Sequence, residues 1–118
     1  MGIRFYTGNA EGTIWTLEKE WVDDKTYPAI TRDDGGKFHI LYVDSVTKIL
    51  GTINSEDGIT WSAIKTIDIE IDVGDAGITY NKDIGIDGRL IAVYWKSSLR
   101  KYAYSDDRGI NWIIGDVD

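Results

Sequence analysis

"SDDRGINW" runs from Ser105 to Trp112, and "NSEDGITW" from Asn54 to Trp61. Laid one over the other without a gap, they place Gly58 on Gly109, Trp61 on Trp112, Thr60 on Asn111 and Glu56 on Asp107. The match extends outward. "KFHILYVD" (37–44) lies over "RLIAVYWK" (89–96), each after a glycine-containing turn, and "PAIT" (28–31) lies over "AGIT" (76–79). A unit that starts near Pro28 therefore starts again near Ala76. Ahead of both, "GIRFYTGNAEGTIWTLEKEWV" (2–22) matches only the second half of a unit, with Gly12 and Trp15 at the places of Gly58 and Trp61.

The unit is made of strands. No stretch sustains the three-to-four spacing of a helix; short runs of Ile, Val, Tyr, Thr and Trp alternate with Gly/Asp/Asn clusters, which reads as all-β. The 13 glycines and single proline suit many tight turns. Each unit is expected to hold four strands: 29–32, 38–43, 48–53 and 60–71 in the first, and 77–80, 90–95, 100–104 and 111–115 in the second. A repeat of about 40–50 residues with four strands is the mark of a β-propeller blade. The expectation is a single propeller-like domain of about two and a half antiparallel blades: a half blade over 1–25, a blade over 26–74 and a blade over 75–118.

Side-chain patterning agrees with layers. The second strand of each unit is apolar on both faces: Phe38, Ile40 and Tyr42 against Leu41 and Val43, then Leu90, Ala92 and Tyr94 against Ile91, Val93 and Trp95. Such strands are expected between two layers. "TIDIEIDV" (66–73) alternates strictly instead, which predicts a half-exposed outer strand whose Asp68, Glu70 and Asp72 face water and guard the edge.

The aligned octapeptide resembles the Asp-box of bacterial neuraminidase (sialidase-like) repeats, Ser/Thr-x-Asp-x-Gly-x-Thr-Trp. Ser105, Asp107, Gly109 and Trp112 match it, with Asn111 in place of threonine. The copy at 54–61 keeps Gly58, Thr60 and Trp61 but has Asn54 for serine and Glu56 for aspartate; the first copy keeps only Gly12 and Trp15. The resemblance implies a hairpin joining the third and fourth strands on the outer rim. Its residue types suit structural punctuation: a carboxylate that accepts backbone N–H groups, a glycine for positive φ, and a tryptophan to pack beside the hairpin.

Sialidases carry such boxes, and the resemblance to them implies an arginine triad around a carboxylate, a tyrosine–glutamate nucleophile pair and an acidic general acid. Arg4, Arg32, Arg89, Arg100 and Arg108 fall on strands or turns, the arginine motif that precedes the first box is missing, and two and a half blades do not encircle such a site. No catalytic residue is assigned, and the chain is not expected to be an enzyme by itself. His39, the single histidine, lies between Phe38 and Ile40 on a strand and reads as a packed residue. "NKDIGIDG" (81–88) spaces oxygen ligands as a calcium loop does but lacks the following bidentate glutamate, and it falls where a turn between the first two strands is expected. No metal or cofactor is called for.

Net charge narrows the partners. At −7 the chain repels phosphate backbones, and its one basic cluster, Lys96, Arg100 and Lys101, is small, so nucleic acid is not expected. Without cysteine there are no disulfides and no thiolate chemistry. No apolar run reaches the ~18 residues of a membrane span, and no signal-peptide pattern is visible; the compartment is unknown. The aromatic share of 12% exceeds what the box tryptophans use, and Trp21, Tyr80, Trp95 and Tyr102 are candidates to stack on sugar rings. Open blades would leave apolar sheet exposed, so the expected partners are further copies of the chain or missing blades, with glycan as the ligand class. Three roles follow: a glycan-binding module, an assembly or structural piece with no small ligand, and a fragment of a sialidase-related hydrolase.

Overall fold

The computed structural model describes residues 2–117. It is all-β, with three antiparallel sheets and no helix among those residues. A hairpin pairs β1 (Ile3–Gly8) with β2 (Trp15–Trp21). The first four-stranded sheet takes β3 (Lys25–Arg32), β4 (Phe38–Asp44), β5 (Leu50–Ser55) and β6 (Lys65–Asp68) in chain order. The second takes β7 (Gly77–Asn81), β8 (Arg89–Lys96), β9 (Leu99–Ser105) and β10 (Ile113–Asp116) likewise.

Turn chemistry explains the meander. The Asp33 carboxylate accepts the N–H groups of Gly35 and Lys37, both at 3.0 Å, and so folds the β3–β4 turn. Asp44 does the same between β4 and β5, accepting from Val46 and Thr47 at 2.9 Å. Ser97 and Ser98 both have positive φ, 53° and 63°, the conformation of a two-residue hairpin turn between β8 and β9. "NKDIGIDG" occupies the β7–β8 turn.

Each sheet has an upstream face, toward the preceding element, and a downstream face. The upstream face of the first sheet, Ile40, Tyr42 and Ile53, packs under Ile3 and Phe5 of the hairpin. Its downstream face, Leu41, Val43 and Leu50, packs on the upstream face of the second sheet, Ala92, Tyr94 and Ala103. The contact direction is the same in both layers. The edge strands β3 and β7 also lie against each other.

β4 is therefore buried on both faces: Leu41 and Val43 are 0% exposed, Tyr42 2% and Ile40 3%. Truncation of one such side chain to alanine costs about 2–5 kcal/mol. The equivalent strand β8 departs from expectation. Leu90, Ala92 and Tyr94 are buried, but Val93 and Trp95 are 47% and 39% exposed, because none of the described residues forms a layer over that face.

The fourth strand of the first sheet also departs from expectation. It ends at Asp68 rather than running over 60–71. Glu70 takes a left-handed φ of 55°, so the alternation of "TIDIEIDV" does not map onto two faces. Ile67 and Ile71 are buried while Ile69 is 54% exposed, and Asp68 turns inward instead of guarding an edge. The segment after it is held by its own backbone: Ile71 N–H donates to Lys48 C=O at 3.0 Å and Asp72 N–H to Trp95 C=O at 2.9 Å. The Asp72 carboxylate accepts from Ser97 and Ser98 N–H, which fastens the link between the sheets to the β8–β9 turn.

Candidate functional site

Three turns of one design join β1 to β2, β5 to β6 and β9 to β10. Glycine and tryptophan stand three residues apart in all of them. Gly12, Gly58 and Gly109 have φ of 71°, 78° and 88°. The indole N–H of Trp15, Trp61 and Trp112 donates to the carbonyl of that glycine at 3.1, 3.2 and 3.2 Å. A side-chain oxygen then accepts the N–H groups just before the tryptophan. Asp57 takes those of Ile59 and Thr60 at 2.8 Å, and Asn9 takes those of Thr13 and Ile14 at 2.9 and 3.2 Å. Asp107 takes that of Asn111 at 2.8 Å and also accepts the Asn111 amide.

The acceptor walks along the chain while the Gly–Trp spacing holds. It sits three residues before Gly12, one before Gly58 and two before Gly109. In the turn after β5 the carboxylate is therefore Asp57, and Glu56 is exposed and outside the network. The ungapped alignment slips by one there. The serines confirm the true register: Ser55 donates to Asp57 and accepts from Gly58 N–H, as Ser105 donates to Asp107 and accepts from Gly109 N–H. Thr60 contributes backbone N–H and C=O, the latter accepting from the Ser55 hydroxyl at 2.7 Å. The pairing Ser55–Asp57 over Ser105–Asp107 was the signal in the sequence.

Backbone donors depress both carboxyls. Asp107 is held down to about 2, first by the N–H of Asn111, with the Ser105 hydroxyl and the Asn111 amide adding to it against the penalty of burial. Asp57 is lowered for the same reason, with Thr60 N–H as the main cause. Both carboxylates are thereby engaged by backbone N–H groups of their own turns.

The seam between the sheets holds the other titratable groups. His39 and Asp33, both with side chains 0% exposed, meet at 3.0 Å through Nε2. His39 Nδ1 faces Asn54 Oδ1 at 3.0 Å. Arg108, from the turn after β9, reaches back to Asp33 and Asp34 at 3.1 Å. The Tyr80 hydroxyl joins by donating to Asp34 at 2.8 Å. Burial works to raise the Asp33 carboxyl, but hydrogen bonds from His39 and from Lys37 N–H, with the charge of Arg108, leave it below the ordinary value. At the other end of the seam, Asp68 accepts from the Tyr94 hydroxyl at 2.8 Å and from Lys96 at 2.9 Å. Burial pushes the Tyr94 phenol up, and the bond to Asp68 adds to it. The seam thus has an apolar centre and a polar clasp at each end. The roles of Asp33, Asp34 and Asp68 across the seam were not legible, since the partners they meet there lie in other strands and turns.

The four aromatic candidates separate. Trp95 and Tyr102 share the open downstream face of the second sheet, through the register Val93↔Tyr102 and Trp95↔Arg100. The guanidinium of Arg100 stands 5.5 Å over the Trp95 ring, and that of Arg89 4.1 Å over Tyr104, which stacks on Tyr102. Trp21 is engaged elsewhere. It packs edge-on against Trp61 at 5.2 Å, in a row that continues through Phe5 to Phe38. Tyr80 is committed to Asp34 and to Asp87 C=O. The open face carries shallow depressions, of about 250 Å³ beside Trp95 and Arg100, about 260 Å³ beside Ile91 and Val93, and about 400 Å³ between Arg89 and Tyr102.

Four of the arginines meet separate partners. Arg4 pairs with Glu20, Arg32 stacks over Phe38, Arg89 forks onto Asp106 and Arg108 clasps the seam. Lys96 and Lys101 of the basic cluster are paired with Asp68 and Asp116. Among the described residues no group of three or more His, Asp or Glu side chains is placed to hold a metal ion, and no helix is long and apolar enough to cross a membrane.

Two outcomes follow from the turns. Asp57→Ala lowers the midpoint of urea unfolding, whereas Glu56→Ala changes stability by less than about 0.5 kcal/mol, an exposed side chain outside the network. Equal effects would place the carboxylate function on the wrong residue. The second concerns pH. Asp107 is depressed in the folded chain relative to about 3.9 unfolded, so its contribution to stability is full above about pH 4 and lost as pH falls toward 2. Asp107→Asn is expected to flatten the loss of thermal midpoint over that window; an unchanged slope would assign the acid sensitivity to other carboxylates.

The sequence matches no protein-family model and no curated protein.

Proposed function

We propose that the chain is a non-catalytic binding module, built from propeller blades of Asp-box type, that associates with further copies of itself into a larger assembly. The observation that carries this reading is the open end of the stack. The two sheets and the hairpin pack in one direction, and the last downstream face is made of apolar and aromatic side chains, Ile91, Val93, Trp95, Tyr102 and Tyr104, with no layer over it. A sheet written for burial on both faces and covered on one favours association over a free-standing monomer. The saturated carboxylates of the turns and the fully buried His39–Asp33 pair favour structural roles for the groups that otherwise suggest catalysis.

Glycan recognition is the second reading, and the exposed Trp95 beside Arg100, with the half-buried Tyr102 on the same face, favours it, because flat aromatic rings flanked by donors suit sugar faces. The native mass of the purified chain tests the first reading. A discrete oligomer is expected; a monomer across the micromolar range contradicts it. Tryptophan fluorescence titration against a panel of oligosaccharides, with wild type and Trp95→Ala in parallel, tests the second. Saturable binding lost in Trp95→Ala supports it, and a flat response over the panel removes it. Turnover of a fluorogenic sialoside by the wild type would overturn the non-catalytic assignment and restore the hydrolase-fragment role.

A further inference from the structure

The glycine and tryptophan of each turn register what stands upstream of them. A Cβ on Gly58 would lie 3.1 Å from the Phe5 ring of the hairpin, and one on Gly109 would lie 3.4 Å from the His39 ring of the first sheet. Trp61 packs on Phe5 and Trp21 of the hairpin, and Trp112 packs against the cluster shared by the two sheets. The first turn is the exception. Nothing stands within 4 Å of the same position at Gly12, and Trp15 is 63% exposed. The hairpin therefore has a turn built to meet an upstream layer, without that layer.

The other end of the stack has the converse. The downstream face of the first sheet covers its successor with Leu41 and Val43, whereas the same positions in the second sheet, Val93 and Trp95, face outward. On the hairpin, Tyr6 pairs with Leu17 and Gly8 with Trp15 across β1 and β2, and Tyr6, Leu17 and Trp15 are 45%, 47% and 63% exposed. Each end thus carries an apolar surface of the kind that the chain twice buries, downstream face against upstream face, inside itself.

We infer that these two surfaces are the halves of one heterologous interface, in which the β7–β10 sheet of one copy covers the outer face of the β1–β2 hairpin, with Tyr6, Trp15 and Leu17, of the next. The partner is a second copy of this chain, because the contact repeats the internal one in direction, with a strand-rich apolar face meeting a Gly-x-x-Trp turn. It rests on the reading that the chain associates with itself, and it names the surfaces. A head-to-tail contact of this kind adds copies until the rotation closes a ring, or continues as a filament.

Two charge-introducing variants test it: Leu17→Lys on the hairpin and Val93→Lys on the sheet. Both side chains are 47% exposed, so the fold is expected to survive, as circular dichroism of each variant checks. In native mass spectrometry the wild type is expected as an assembly and each variant alone as a monomer. An equimolar mixture is expected to give a 1:1 heterodimer and nothing larger, since each variant keeps the half that the other has lost. If Val93→Lys dissociates the assembly while Leu17→Lys leaves it intact, the sheet faces pair with each other and the inference is overturned, though self-association stands. Two monomeric variants that stay apart on mixing would also overturn it. A monomeric wild type would overturn the inference together with the reading beneath it.

Discussion

Strand β4 has no side that meets water. Hairpin residues Ile3 and Phe5 cover its Ile40 and Tyr42, and the second sheet covers its Leu41 and Val43. Everything else in the chain is placed by this double burial. A strand apolar on both faces cannot be satisfied by its own sheet, so it forces a layer on either side. The chain supplies those layers from the segments that precede and follow it. That requirement fixes the order of the stack and its direction.

Apolar burial does not fix how the layers are turned relative to each other; the seam does that. Arg108 with Asp33 and Asp34 holds one end, and Asp68 with Tyr94 and Lys96 holds the other. The groups face one another across the junction and are hydrogen-bonded at their buried atoms, with no orphaned buried side-chain polar atom among the described residues. Such clasps add orientation more than net stability, because desolvation offsets much of the attraction. The turns then present their glycine to the neighbouring layer, close enough that a side chain at Gly58 would press on Phe5.

Much of this was legible in the sequence and some was not, for identifiable reasons. The double burial of β4 was legible because period-two patterning with both faces apolar has few other solutions, whereas β8 carries the same pattern and is covered on one face. The strand boundary at Asp68 was not, since "TIDIEIDV" alternates identically whether it stays extended or breaks at a left-handed Glu70. Glu56 was matched to Asp107 because an ungapped alignment anchors on Gly and Trp, while the acceptor reaches the same N–H groups from three, one or two residues before that glycine. Asn9, which does the same work in the first turn with an amide, escapes any search for a carboxylate. The partners across the seam, Arg108 for Asp33, Arg108 and Tyr80 for Asp34, and Tyr94 and Lys96 for Asp68, lie in other strands and turns, where spacing along the chain carries no information. Trp21 and Tyr80 read as free aromatics for the same reason.

The claim that β4 is the keystone has a direct test in native-state amide hydrogen exchange at concentrations low enough to keep the chain dispersed. The account predicts that β4 and β5 hold the slowest amides, exchanging only with global unfolding, while β8 and β9 exchange faster through local opening of the uncovered sheet. Equal protection of the two four-stranded sheets, or slower exchange in β8 than in β4, would contradict it.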